Sequence, residues 1–180
     1  MPTSNPKKKP GPTSTTKSAA MDGIYKKPGH LFRRMQQIAV ALFMEECKAF
    51  DMTPLQYAAL VAIRAHPGID ATRLSAVIAF DRSTLGSVIE RLEAKGFLER
   101  KPGPDDRRIK LLYLTSAGAA ELRDVEPSVA QAQTRMLKPL TPADRKTLLA
   151  LMTQLVQLNN SVSRVPMRAD DAIQHLNRSG

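Results

Sequence analysis

The 180-residue chain carries 27 Lys and Arg against 17 Asp and Glu, a formal net charge of +10, with 42% hydrophobic residues, 4% aromatic residues and no tryptophan. That length supports one domain with accessory helices rather than two independent cores, and the apolar content excludes wholesale disorder while demanding an aliphatic core. The basic excess points to a polyanionic partner, and Cys47, the single cysteine, excludes an internal disulfide and any Cys-based zinc site.

Residues 1–27 hold six lysines against Asp22, about half of the excess charge. The opening "MPTSNPKKKPGPTSTTKSAAMDG" has almost nothing to bury and is predicted to be a disordered basic tail. Its basic start lacks the apolar stretch of a signal peptide, and the apolar run "IAVALFM" at 38–44 is too short to cross a bilayer, so a cytoplasmic protein without membrane contact is expected. From Leu31 to Phe50, Leu31, Met35, Ile38 and Leu42 recur at helical spacing, with Phe32, Ala39 and Phe43 widening the stripe. A helix apolar over so much of its circumference packs against more than one neighbour, which in a chain this small predicts a dimer interface.

"TPLQY" at 53–57 starts a second helix: Thr53 can cap, Pro54 suits the first helical position and Gln56 completes a capping box. That helix runs to about Arg64 and is closed by "HPG" at 66–68. Asp70 caps a short third helix with Leu74, Val77 and Ile78 inside, and "AFD" at 79–81 turns the chain into a fourth helix from Arg82. Leu85, Val88, Ile89 and Leu92 form its core face; the opposite side shows Ser83, Ser87, Glu90 and Ala94, flanked by Thr84 and Arg91. Gly96 ends it. "FLERKPGPDDRRIKLLYLT", Phe97 to Thr115, is a predicted β-hairpin with two arginines at its tip. Thr115 caps a fifth helix over 116–137, in which Pro127 predicts a kink or break near Glu126. "TPADR" at 141–145 starts a sixth, striped by Leu148, Leu151, Met152, Leu155 and Leu158 as far as Asn159.

Two short helices joined by a tight turn and followed at once by a hairpin with a cationic tip make a winged helix, in which the second helix can enter a major groove while the tip reaches the adjacent minor groove or a phosphate. Two plain alternatives stand beside that reading. The polar face of the fourth helix can simply be solvated, and Arg107 and Arg108 can pair with Asp105 and Asp106 to solubilise a turn.

The segment "GFLERKPGPDDRRIKLLYLT", preceded by "STLGSVIERLEAKG", closely resembles the winged-helix region of MarR-family transcriptional regulators, and the similarity runs from about Leu31 to Asn160. The resemblance implies a mostly α fold with a small β-hairpin wing: a DNA-binding lobe at about 53–115, dimerisation helices at about 30–50 and 116–160, and an extension at 161–180. It further implies a homodimer on a palindromic double-stranded DNA operator, released by a small anionic effector, often aromatic. Under it Arg108 is the wing-tip residue for the minor groove, Arg107 a phosphate contact, and Ser83, Thr84 and Ser87 readers on the recognition helix, with Arg82 and Arg91 beside them. Asp81 is a candidate partner that orients the wing through Arg108, with the N-cap of the fourth helix as its plain alternative, and the two roles can coexist. The lysine-rich tail and Pro127 depart from the family pattern.

"KKPGHLFRRMQQ" at 26–37 puts His30, Arg33 and Arg34 on one face at the start of the first helix, where the helix dipole favours a carboxylate or phosphate. The stretch resembles the first helix of the MarR branch that responds to aromatic acids or their coenzyme A thioesters; its alternative is a solvated basic surface. Met35, Phe43, Met44 and Tyr57 are the expected walls of such a site, or else ordinary core. A rival redox mechanism would use Cys47, but the acidic neighbours Glu45, Glu46 and Asp51 would blunt it, so a small buried hydrophobe is expected there. A weakly specific architectural DNA-binding protein is the further alternative. His30, His66 and His175 show no HExxH spacing, and neither a glycine-rich phosphate loop nor a GxSxG elbow occurs. An enzyme, a metal and a cofactor are therefore not expected.

Overall fold

The computed structural model describes residues 23–167; residues 1–22 and 168–180 lie outside the described residues, and with them most of the expected tail and of the C-terminal extension. The described residues fall into two units, divided between Ala39 and Val40. In the first, helix α1 (Pro28–Glu46, continuing into the second unit) leaves Leu31, Phe32, Met35 and Ile38 exposed.

The second unit holds the core. α1 ends at Glu46, four residues before the predicted end, and the chain tightens into a 3-10 turn at Lys48–Phe50. Cys47 and Met52 are buried on either side of this turn, and Asp51 takes a left-handed conformation at φ 44°. Lys95 holds it there by donating to the Asp51 carbonyl and, at 2.8 Å, to its carboxylate. α2 (Pro54–Ala65) starts with the predicted capping box: Thr53 Oγ1 accepts from Gln56 N at 3.2 Å and Gln56 Oε1 accepts from Thr53 N at 2.9 Å.

A strand that the periodicity does not foresee follows. β1 (Ile69–Asp70) pairs antiparallel with Leu112 and Leu111, so the sheet has three strands in the order β1-β3-β2. Asp70 then caps α3 (Ala71–Val77), accepting from Thr72 N and Arg73 N at 2.7 and 3.0 Å. Of the three residues expected inside α3, Leu74 is buried, whereas Val77 and Ile78 are partly buried against the core. The turn into α4 (Arg82–Ala94) is pinned by Ser75, whose hydroxyl donates to Phe80 O at 2.6 Å and whose carbonyl accepts from Phe80 N at 3.0 Å.

α4 buries Leu85, Val88, Ile89 and Leu92, each worth roughly 1.5–3 kcal/mol, so core burial outweighs its caps. It ends in a Schellman motif: Gly96 at φ 74° donates to Glu93 O, and Phe97 donates to Leu92 O. β2 (Leu98–Pro102) and β3 (Lys110–Leu114) form the hairpin, in register from Leu98 opposite Leu114 to Pro102 opposite Lys110. Thr115 locks hairpin to helix, taking Phe97 O with its N–H at 3.1 Å and Gly96 O with its hydroxyl at 2.7 Å while capping α5 (Ser116–Leu137) through Gly118 N.

α5 runs through Pro127 as one helix, so of the expected kink or break the break does not occur. Proline removes a single ladder bond, the one to Arg123 O, while Leu122, Val125, Val129 and Ala132 stay buried along one face and hold both halves. α6 (Pro142–Asn159), capped by Thr141, buries no residue; Leu149, Leu151, Met152, Leu155 and Leu158 are 41–73% exposed. The core itself is aliphatic, centred on Leu60, Ile63, Leu74, Leu85, Leu92, Leu112, Leu122 and Val125. Among the described residues no helix is long and apolar enough to cross a membrane.

Candidate nucleic-acid interface

With Leu85, Val88, Ile89 and Leu92 turned inward, helical spacing leaves Arg82, Ser83, Thr84, Ser87, Glu90 and Arg91 exposed on α4. Asp81 organises the first turn. Its carboxylate accepts from the Ser83 hydroxyl at 2.6 Å and from both the backbone N–H and the hydroxyl of Thr84 at 2.9 Å. The Ser83 bond, followed by the two from Thr84, brings the Asp81 carboxyl down to about 2. Ser87 donates to Thr84 O at 2.9 Å. Since a hydroxyl has one proton and all three give theirs to acceptor-only oxygens, Ser83, Thr84 and Ser87 turn lone pairs outward.

The hairpin tip, residues 103–109, is shaped by its backbone. Gly103 N donates to Ile109 O at 2.9 Å, Ile109 N to Asp106 O at 3.1 Å, and Arg108 N to Asp106 Oδ1 at 2.9 Å. Lys110 Nζ reaches Arg107 O at 3.3 Å. A side chain at Gly103 would place a Cβ 2.8 Å from Asp106 O, so the turn requires glycine. Asp106 thus binds the backbone of Arg108 and not its side chain, and the alternative of a self-paired Asp-Arg cluster does not hold among the described residues. The suggested Asp81–Arg108 pair is also not formed: among the described residues the hydrogen bonds to Asp81 come from the first turn of α4, which makes it the N-cap.

Charge is distributed unevenly. Arg100 pairs with Glu93 at 2.6 Å, Lys101 with Glu99 at 2.7 Å and over the Tyr113 ring, and Arg135 with Glu46 and, at 3.3 Å, Glu45. The exposed guanidiniums of Arg73, Arg82, Arg91, Arg107 and Arg108 take no acidic partner within the described residues. Nothing in a seven-residue helix marks the outer face that carries Arg73 until the turn into α4 is placed.

The residues expected around an effector divide between the two units. In the first, His30 is half-buried with its ring 5.4 Å from that of Tyr25, Arg33 and Met35 are exposed, and Arg34 donates to Gln37 Oε1 at 3.0 Å. In the second, Met44 is exposed, while Phe43 is 5% exposed and packs in the core, its ring 6.0 Å from that of Tyr57. Phe43 is therefore a core residue. Tyr57 donates to Glu126 Oε2 at 3.1 Å, and burial, reinforced by that carboxylate, pushes its hydroxyl up to about 12. Glu126 also lines an open groove of about 510 Å³ with Arg64, Arg123, Pro127 and Ala130. No sequence signal joins Tyr57 to Glu126 across 69 positions. Cys47 is buried, and desolvation followed by the charge of Glu46 raises its thiol, both of which work against thiolate formation.

A MarR family model matches residues 50–109, the segment from the end of the 3-10 turn to the wing tip. The transcriptional repressor NicR of Pseudomonas putida is 29% identical over 147 residues, 79% of this chain and 93% of NicR. Multiple antibiotic resistance protein MarR of Escherichia coli is 31% identical over 129 residues, 71% of this chain and 90% of MarR. A mutant of that protein solved with operator DNA superposes with a TM-score of 0.67, over 71% of this chain and 92% of MarR. The structure of Bordetella bronchiseptica BpsR, whose DNA binding is regulated by 6-hydroxynicotinic acid, matches with a TM-score of 0.69 at 30% identity, over 73% of this chain and 94% of BpsR. With a three-stranded winged helix, exposed unpaired arginines on it and these similarities in sequence and structure, the chain belongs to the MarR family of transcriptional regulators.

Proposed function

We propose that this chain is a ligand-responsive repressor that binds a palindromic DNA operator as a homodimer and releases it when a small anionic aromatic acid or its coenzyme A thioester binds. The observation that carries this reading is the set of exposed guanidiniums on α4 and the wing tip that take no acidic partner among the described residues, above a stalk whose Arg100 and Lys101 do. In it residues 53–115 are the DNA-binding lobe, with Arg82, Ser83, Thr84, Ser87 and Arg91 of α4 in the major groove and Arg107 and Arg108 at a phosphate and in the minor groove. Outward lone pairs on the three hydroxyls suit the amino groups of adenine and cytosine. The exposed apolar stripe of α6 supports a second copy as partner, since a stripe of that length is rarely left in water.

The test is to let the full-length chain select duplexes from a random pool and to titrate the enriched duplex by fluorescence anisotropy. Arg108→Ala should weaken binding roughly ten- to a hundredfold, the range expected for one arginine at a groove, without moving the melting temperature. Equal affinity for the enriched and random duplexes would turn the reading toward a weakly specific architectural protein.

Sensing is assigned to His30, Arg33 and Arg34, by the cationic start of α1 and by likeness to a relative whose DNA binding responds to an aromatic acid. Among the described residues Arg34 is bonded only to a neutral amide, which an incoming carboxylate can displace. A thermal-shift screen of aromatic acids and their coenzyme A esters would find the effector. Arg34→Ala should then bind the duplex as wild type does but fail to release it; release at wild-type effector concentration would move the sensor elsewhere.

A further inference from the structure

The turn before α4 has a second wall. Beyond α6 the chain makes a 3-10 turn at Asn160–Val162 and closes a loop on itself: Asn160 Nδ2 donates to Met167 O at 2.9 Å, and Met167 N donates to Asn160 Oδ1 at 2.8 Å. Inside that loop Ser163 exchanges hydrogen bonds with Val165 at 3.0 and 3.3 Å. Ser163, Arg164 and Val165 face Ala79, Phe80 and Asp81 across a cleft of about 210 Å³. Both walls are fixed, one by the Asn160–Met167 pair and the other by the Ser75–Phe80 pair, with Ala79 held at φ 52°.

Resting on the reading above, we infer that Arg164 is part of the DNA interface, a phosphate contact placed by the C-terminal loop beside the N-terminus of the recognition helix. Three observations converge on it. Asp81 is required as a helix cap, yet it puts a carboxylate where a helix N-terminus would otherwise draw a phosphate. Arg164 and Asp81 line the same cleft, and the Arg164 charge adds in a minor way to the stabilisation that Ser83 and Thr84 give the Asp81 carboxylate. Its side chain is exposed and makes no hydrogen bond or ion pair among the described residues, which leaves the guanidinium to bind a phosphate oxygen. The loop thus offsets the repulsion between Asp81 and DNA and extends the basic surface past the end of α4.

Full-length wild type, Arg164→Ala, Arg164→Glu, Arg164→Lys and Arg108→Ala would be titrated by anisotropy over a salt series. The probes are the duplex enriched by the wild-type chain and a random-sequence duplex of equal length. Arg164→Ala should weaken binding to both duplexes by a similar factor, about three- to tenfold. The slope of log affinity against log salt should flatten by about one for each arginine lost, with sequence preference and melting temperature unchanged. Arg164→Glu should weaken both further, and Arg164→Lys should restore the slope. Wild-type affinity and slope in both Arg164→Ala and Arg164→Glu would overturn the inference, as would tighter binding, which would make the loop an obstruction. If Arg108→Ala weakened binding while the Arg164 variants did not, only this inference would fail; if the wild-type chain showed no preference between the two duplexes, the repressor reading would fail first.

Discussion

Alanine at position 118 is expected to lower the melting temperature by about 5–10 °C, from a cost of roughly 2–3 kcal/mol. Gly118 lies in the first turn of α5, where alanine would ordinarily add up to ~1 kcal/mol of helix propensity. Here the added Cβ would overlap the Phe97 carbonyl oxygen, lie 2.8 Å from the Phe97 carbonyl carbon and meet Leu114 Cδ1 at 3.0 Å. Neither backbone can yield cheaply: Phe97 O accepts from Thr115 N, Phe97 N donates to Leu92 O, and the Thr115 hydroxyl holds Gly96 O. Relief would require α5 to lift off the hairpin, loosening Leu122 and Val125 in the core. Overpacking therefore outweighs propensity. A thermal melt followed by circular dichroism checks it, and an unchanged or raised midpoint would mean that α5 does not seat on the start of β2 as described.

Ser87→Glu is expected to do the reverse, sparing the fold and abolishing DNA binding. Ser87 is exposed on α4, one turn beyond Thr84, and glutamate is a good helix former, so the melting temperature should stay within a degree or two. A carboxylate set among phosphates and base edges meets like charge at close range, which costs several kcal/mol, on the order of a hundredfold or more in affinity. Ser87→Ala, which removes the hydroxyl and adds no charge, should lose far less. Anisotropy with the enriched duplex distinguishes the two. Wild-type affinity in Ser87→Glu, with the fold intact, would put a different surface in the groove.

What could be read from the sequence was what the chain decides locally. The Thr53–Gln56 box, the caps at Asp70, Thr115 and Thr141 and the glycine after α4 each act within a few residues, and each is found where its pattern stands. Strand β1 escaped because two residues carry no periodicity, and their pairing with Leu111 and Leu112 spans some forty positions. The end of α1 lies earlier than the apolar spacing predicts because that spacing continues through the 3-10 turn, while the ion pair that holds the turn comes from Lys95, just past the end of α4. Pro127 does not end α5 because one missing bond is small beside a buried face of four residues. At the interface the arginines were visible as residue types; what was not visible is which of them other parts of the fold neutralise. Glu93 and Glu99 quiet Arg100 and Lys101 on the stalk, and Asp106, the acid beside Arg107 and Arg108, spends its carboxylate on the backbone.

That last arrangement separates form from content at the tip of the hairpin. The loop keeps its shape through Gly103, Asp106, Ile109 and main-chain bonds, to which the side chains at 107 and 108 contribute nothing. Exchanges at those two sites are consequently almost free of folding cost, whereas position 103 tolerates no side chain. A lineage carrying this hairpin can alter the chemistry its tip presents by single steps, each leaving an intact protein on which the next step can act, without passing through unstable intermediates.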